Sequence, residues 1–281
     1  MPAQPAASPP ARRTVVGVSL KMYLGHAETV AWCRAVADLA RAHPATAGGE
    51  AELVVLPSYL SVPAAVRILD GVAAVGAQDL AAEDAGAFTG EVSGGQIAEA
   101  GCRFVEVGHA ERRRLFGETD EVVRRKADAA LRNGLVPILC VGEEERGDAE
   151  GAAAACVRQL DDALALARER GHGGRIVVAY EPLWAIGADE PASDAHIVAV
   201  CRRLRARVGG LDAHPGSAVI YGGSAGPGLL TRVAADVDGL FLGRRAHDPQ
   251  GLAAVLDEVQ ALASRPAPAP APTPGDGRLS W

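Results

Sequence analysis

No stretch of this sequence is apolar for long enough to cross a bilayer. Its longest apolar runs are strand-sized, against the ~20 residues that a spanning helix needs. A basic stripe is missing as well. With a net charge of −7 and an isoelectric point near 5.5, neither nucleic acid nor an anionic membrane surface is expected as a partner. The five cysteines (Cys33, Cys102, Cys140, Cys156 and Cys201) form no Cys-x-x-Cys pair and no Cys/His metal spacing. That excludes a disulfide framework and a zinc site, and reads as reduced, buried small hydrophobes of a cytoplasmic protein. The opening MPAQPAASPPARR lacks the apolar core of a secretory signal. Nor does a glycine-rich dinucleotide fingerprint follow the first predicted strand, which argues against a doubly wound open sheet.

What the chain does have is a repeat. Its 281 residues, 48% of them hydrophobic, suffice for one large α/β domain. Short apolar runs alternate with longer helical patterns. Strands are expected at Thr14–Ser19, Leu53–Leu56, Val72–Ala77, Phe104–Val107, Val136–Cys140, Ile176–Tyr180, Ala218–Tyr221 and Gly239–Leu242. Continuous apolar runs suit strands buried on both faces of a parallel sheet. Between them, Ala27–Ala42, Asp120–Arg132, Ala152–Arg170 and Asp194–Val208 show helical spacing. Eight such units over ~250 residues give the arithmetic of a (β/α)8 barrel. The expected layout is a barrel over residues 14–263, with disordered Pro/Ala-rich tails at 1–13 and 264–281.

In such a barrel, chemistry sits at the C-terminal strand ends. The sixth predicted strand ends in Glu181, followed by Pro182, Trp184 and Gly187. A carboxylate fixed at a strand tip beneath an apolar flap suits a general base, because the flap excludes water; a structural strand-end carboxylate over a core Trp is the alternative. The fourth ends in Gly108-His109. A histidine opening a helix is disfavoured as imidazolium and can donate to a substrate, or it bonds its own loop. Lys21 follows the first strand, as an anion anchor or as a solvated loop lysine, and Glu111 is placed to orient it. Cys140, at the end of the fifth, has no role beyond packing. The seventh ends in Gly222-Gly223-Ser224, an anion nest, and the eighth in Gly243-Arg244-Arg245, where barrels often hold phosphate. The long loop from Gln78 to Glu91 carries Phe88 and Thr89 at its tip, for a subunit contact or for packing on itself.

Five of these strand ends together resemble the triosephosphate isomerase family. The matching stretches are LKM at Leu20–Met22, GAFTGEVS at Gly86–Ser93, VGHAERRRLFGETDE at Val107–Glu121, AYEPLWAIG at Ala179–Gly187 and YGGSAGP at Tyr221–Pro227. The resemblance implies Glu181 as the general base, His109 as a neutral electrophile, Lys21 as the electrostatic anchor and Glu111 as its neighbour. It implies Gly187, Ser224, Gly223 and Gly243 as phosphate donors, and residues 182–192 as a lid. It also implies a phosphorylated sugar as substrate, no metal and no cofactor, and a homodimer built through the loop from Gln78 to Glu91.

Departures from the family pattern fall on the substrate walls. Ser19 stands where the family has Asn, which shortens a polar contact and enlarges the pocket. Arg244 replaces a glycine and can grip phosphate in two-pronged fashion. Asp189 replaces a lid glycine, and Ala110 replaces a Ser. With the chemistry kept and the walls rebuilt, the chain resembles the erythrulose-phosphate isomerase branch. A four-carbon ketose phosphate is therefore the favoured substrate and triose phosphate the alternative. A barrel that binds sugar phosphate without catalysis conflicts with the retention of Lys21, His109 and Glu181. An aldolase would want a Schiff-base lysine at the sixth strand, or a metal-binding His cluster.

Overall fold

The computed structural model describes residues 13–188 and 191–264. Eight parallel strands close into a barrel in sequence order: β1 (Thr14–Ser19), β2 (Ala51–Leu56), β3 (Ala74–Ala77), β4 (Phe104–Val107), β5 (Val136–Val141), β6 (Val177–Tyr180), β7 (Ala218–Tyr221) and β8 (Gly239–Leu242). The seam is a parallel pairing of β1 with β8, Val15 opposite Gly239 through Val18 opposite Leu242. Strand side chains alternate between two cores. One set, including Val15, Leu56, Phe104, Ile138, Ala179, Ile220 and Phe241, fills the barrel interior. The other, including Val16, Val55, Val105, Leu139, Val178 and Val219, packs against the helices outside. That double burial is why the strands read as unbroken apolar runs.

The helices follow from amphipathic spacing and local caps. Helix Ala149–Ala163 turns Ala152, Ala153, Cys156, Leu160 and Ala163 inward, and the Asp148 carboxylate accepts from the Gly151 N–H at 2.7 Å. Burying a side chain such as Leu160 contributes roughly 1.5–3 kcal/mol, and such a cap contributes about 1 kcal/mol.

Two expectations are corrected. The single helix over Ala152–Arg170 is two, Ala149–Ala163 and Ala165–Arg170. The bend at Leu164 buries both Leu164 and Ala167 and delivers Arg170 and His172 to Asp128 on helix Asp120–Arg132. Strand β3 starts at Ala74 rather than Val72, because the N–H groups of Val72 and Ala73 both turn back to the Leu69 carbonyl. Smaller differences place β2 two residues earlier, at Ala51, where the pairing with Thr14 extends it.

All five cysteines are buried free thiols, and burial raises Cys33 and Cys102 to about 11. Among the described residues, no helix is long and apolar enough to cross a membrane, and no cluster of His, Cys, Asp and Glu could hold a metal. The tail expectations lie outside the described residues, except for Arg13 and Ser264.

Candidate active site

A cavity of about 380 Å³ opens at the C-terminal ends of the strands, lined by Ser19, Lys21, His109, Glu111, Glu181, Gly187, Ser224, Gly243 and Arg244 among others. Its volume lies in the range of small-ligand pockets. Glu181 continues β6, with its N–H bonded to the Val141 carbonyl at 2.8 Å. The side chain is 6% exposed, and its Oε2 is buried without a hydrogen-bond partner. Two glycines make room for it. A Cβ on Gly222 would lie 2.4 Å from Glu181 Oε1, and one on Gly142 would lie 2.0 Å from the Glu181 carbonyl oxygen.

His109 caps helix Ala110–Phe116, and its Nδ1 accepts from the Glu111 N–H at 3.1 Å. A ring that accepts there carries its proton, when neutral, on Nε2. That nitrogen is 3.2 Å from Lys21 Nζ and 3.4 Å from Glu181 Oε2. Lys21 Nζ also donates to Glu111 at 2.6 Å. Burial alone would lower the Lys21 ammonium; the bond to Glu111 and the charges of Glu181, Glu111 and Glu106 hold it above its ordinary value. Burial alone would raise Glu111; the Lys21 bond together with the charges of Lys21, His109 and Arg114 draws it below its ordinary range. Lys21 has a positive φ of 51°, uncommon for a residue with a Cβ. Gln78 holds that backbone by donating to the Lys21 carbonyl at 3.0 Å and to the Leu56 carbonyl at 2.9 Å. A strained backbone kept at a site of convergent charge is one that its surroundings enforce.

The flap after Glu181 is anchored at both ends. Glu143, on the β5 loop, accepts from Trp184 Nε1 at 2.9 Å and from the Tyr180 hydroxyl at 3.1 Å. At the far end, the Ala192 N–H donates to the Tyr221 hydroxyl at 3.1 Å. The Ser224 hydroxyl lies 2.7 Å from the Ala185 carbonyl and 2.8 Å from that of Ala188, so it ties the flap to the β7 loop. Gly187 has a φ of +74°, and a Cβ there would lie 3.9 Å from the Arg244 guanidinium, so flap and β8 loop face each other. Residue Asp189 of the expected lid lies outside the described residues.

Of the predicted site residues, Ser19, Lys21, His109, Glu111, Glu181, Gly187, Ser224, Gly243 and Arg244 all meet at this cavity. Gly223 does not line it. Gly222 takes that place, and a Cβ on Gly223 would press on the Tyr221 hydroxyl and Pro182. Two residues escaped the sequence reading. Glu143 gave no signal beyond a charge after an apolar strand. Glu106 did give one, a carboxylate inside the apolar run FVEV of β4. It is 3% exposed in the barrel throat, accepts from the Ser19 hydroxyl at 3.0 Å and lies 3.9 Å from His109 Nε2.

The sequence model for triosephosphate isomerase matches residues 14–259. The chain belongs to the triosephosphate isomerase family. It is a sugar-phosphate isomerase of that family. Among its relatives, the L-erythrulose-1-phosphate isomerase of Pectobacterium atrosepticum is 50% identical over 255 residues, 90% of this chain and 98% of the relative. The protein of the same name from Rhizobium etli is 38% identical over 256 residues, 89% and 94% of the two chains. The triosephosphate isomerase of Moorella thermoacetica is 38% identical over 252 residues, 88% and 98%. Among solved structures, triosephosphate isomerase from Bartonella henselae superposes with a TM-score of 0.72 at 26% identity, covering 88% of this chain and 99% of that one.

Proposed function

We propose that this isomerase moves the carbonyl between the two central carbons of a four-carbon ketose phosphate, L-erythrulose 1-phosphate. The observation that carries the reaction is the meeting of Glu181, His109 and Lys21 within 3.4 Å steps around one cavity. Glu181, through its unpartnered Oε2, takes the proton from the carbon next to the carbonyl. His109 Nε2–H and the Lys21 ammonium stabilise the negative oxygen of the enediolate that forms. His109 Nε2–H gives its proton to the former carbonyl oxygen and takes one from the neighbouring hydroxyl, while Glu181 returns its proton to the former carbonyl carbon, so both groups end as they began and no net proton is consumed. The phosphate rests between flap and barrel, on the loops of Gly187, Ser224 and Gly243, with Arg244 as its cation. Gly222 stands in the place first expected of Gly223.

Support for four carbons comes from Ser19 and Arg244 on the walls, and from a relative named for erythrulose phosphate at 50% identity against 38% for one named for the triose. The second reading, interconversion of dihydroxyacetone phosphate and glyceraldehyde 3-phosphate in glycolysis, is favoured by the unaltered chemical trio. One purified sample assayed on dihydroxyacetone phosphate and on L-erythrulose 1-phosphate separates them. Turnover of the tetrulose at least about ten times faster, a difference of some 1.4 kcal/mol in barrier, bears out the first reading. The reverse ratio bears out the second, and failure on both leaves a binding barrel.

The proposed setting is the cytoplasm, in keeping with five buried thiols. A homodimer is proposed through the loop from Gln78 to Glu91. Its support is the exposure of large apolar side chains on the segments that follow β1 to β4, with Met22 94%, Leu60 86%, Phe88 46% and Phe116 67% exposed, since exposed apolar surface can mark a contact.

A further inference from the structure

Beneath the cavity, the described barrel interior is largely apolar. Glu106 projects from β4 into the same core as Leu56, Phe104, Ala179 and Phe241. A carboxyl there has a desolvation cost that an apolar side chain of similar size avoids, so its presence calls for a return. Its neighbours give the reason. Oε2 takes the proton of the Ser19 hydroxyl at 3.0 Å, while Oε1 looks towards His109 Nε2 at 3.9 Å and Cys140 Sγ at 4.0 Å. Ser19 lines the cavity and Glu106 does not. The carboxyl therefore acts on the cavity through the hydroxyl.

Ser19 has one proton. With that proton held by Glu106, its lone pairs are left for the cavity, so it presents an acceptor. The phosphate loops lie on β6, β7 and β8, whereas Glu106 stands on β4, across the barrel from β8, and draws the Ser19 hydroxyl towards the barrel axis. A ketose of four carbons differs from a triose by one hydroxymethyl group at the end away from the phosphate. That group needs room and an acceptor for its hydroxyl. A short Ser in place of a longer amide side chain gives the first, and the Glu106-held oxygen gives the second.

We propose that Glu106 is a specificity-determining positioning residue, which orients Ser19 to accept the terminal hydroxyl of a four-carbon ketose phosphate. The inference rests on the tetrulose reading above. Burial raises the Glu106 carboxyl, against the His109 charge and with the Glu181 charge. Oε2 accepts from Ser19 when the carboxyl is ionised, and also when it is neutral with its proton on Oε1, so a neutral amide oxygen can stand in for the acid.

The test measures kcat and KM of the intact enzyme on L-erythrulose 1-phosphate and on dihydroxyacetone phosphate, for the parent, Glu106→Leu and Glu106→Gln. Glu106→Leu is expected to lower tetrulose kcat/KM about thirty-fold, mainly through KM, and triose kcat/KM far less, so that the ratio falls at least about ten-fold. Glu106→Gln restores the ratio to within about three-fold of the parent, since its amide oxygen can take the Ser19 proton. If Glu106→Leu lowers both substrates alike, Glu106 is structural and the proposal is overturned; an unchanged ratio overturns it too. Should Glu106→Leu fail to fold, the ratio in Ser19→Ala must fall likewise, and an unaltered ratio there overturns the proposal. The parent's own ratio reports separately on the substrate. A parent that prefers the triose removes the tetrulose reading, and this inference with it. A parent that prefers the tetrulose while the Glu106→Leu ratio stays put removes this inference alone.

Discussion

Two buried carboxylates, one in the helical shell and one in the barrel throat, are treated in opposite ways. Asp128, on helix Asp120–Arg132, is fully enclosed. It accepts from Arg132 at 2.9 Å, from Arg170 at 2.8 Å and from His172 at 2.7 Å. Burial works to raise its carboxyl, but the bonds from His172 and Arg170 win and hold it below its ordinary range. Glu106 is as deeply enclosed, has one hydroxyl donor and two more distant neighbours, and is pushed up. Glu181 beside it keeps Oε2 without a hydrogen-bond partner, 3.4 Å from His109 Nε2. The charge of Asp128 is satisfied and serves the fold. Charge in the throat is left wanting, and a carboxylate left wanting is one that can take a proton from a substrate.

The comparison can be broken at four points. Glu181→Gln is expected to cut turnover about a thousand-fold with KM little changed, and without loss of melting temperature, since no hydrogen bond to Oε2 is lost. Unchanged turnover in steady-state assays removes Glu181 from the base role. Asp128→Ala takes this partner from Arg170 and His172, while Arg132 keeps Asp84. Chemical denaturation is expected to show a loss of ~3 kcal/mol, with turnover per folded molecule kept. A catalytic loss in excess of the unfolded fraction erases the division between shell and throat. Glu143→Gln keeps the shape but weakens the acceptor that holds Trp184 and Tyr180, so kcat should fall about ten-fold as the flap anchors less firmly; an equal rate means the flap is held elsewhere.

The smallest effect concerns pH. Glu106 has a folded value raised above its unfolded one. Its contribution to stability is therefore full below the unfolded value of about 4.3 and is lost as pH rises through the folded value. Glu106→Gln escapes that loss. Its melting temperature should gain on the parent as pH rises above the unfolded value of about 4.3. Asp128 runs the other way, with stability present above about 3.9 and lost as pH falls through its lower folded value. A melting gap for Glu106→Gln that narrows with rising pH contradicts the assignment.

Periodicity and residue type determined much of this protein. Eight apolar runs of strand length, separated by amphipathic helices, point to a parallel sheet covered on both faces, and the count of eight units to a closed barrel. The motif residues Lys21, His109 and Glu181 were legible because each directly follows a buried strand, and in a barrel those ends converge. Tertiary structure alone decided three things. It set the positive φ of Lys21, which depends on Gln78, just past β3, holding its carbonyl. It broke the helix at Leu164, where burial of Leu164 and Ala167 and the bonds to Asp128 outweigh an unbroken helical pattern. And it gave Glu106 its partner. Ser19 and Glu106 are 87 residues apart, and no local pattern carries a contact across the barrel axis. Closing the sheet makes it, by aiming one side chain from β1 and one from β4 at the same point below the floor of the cavity.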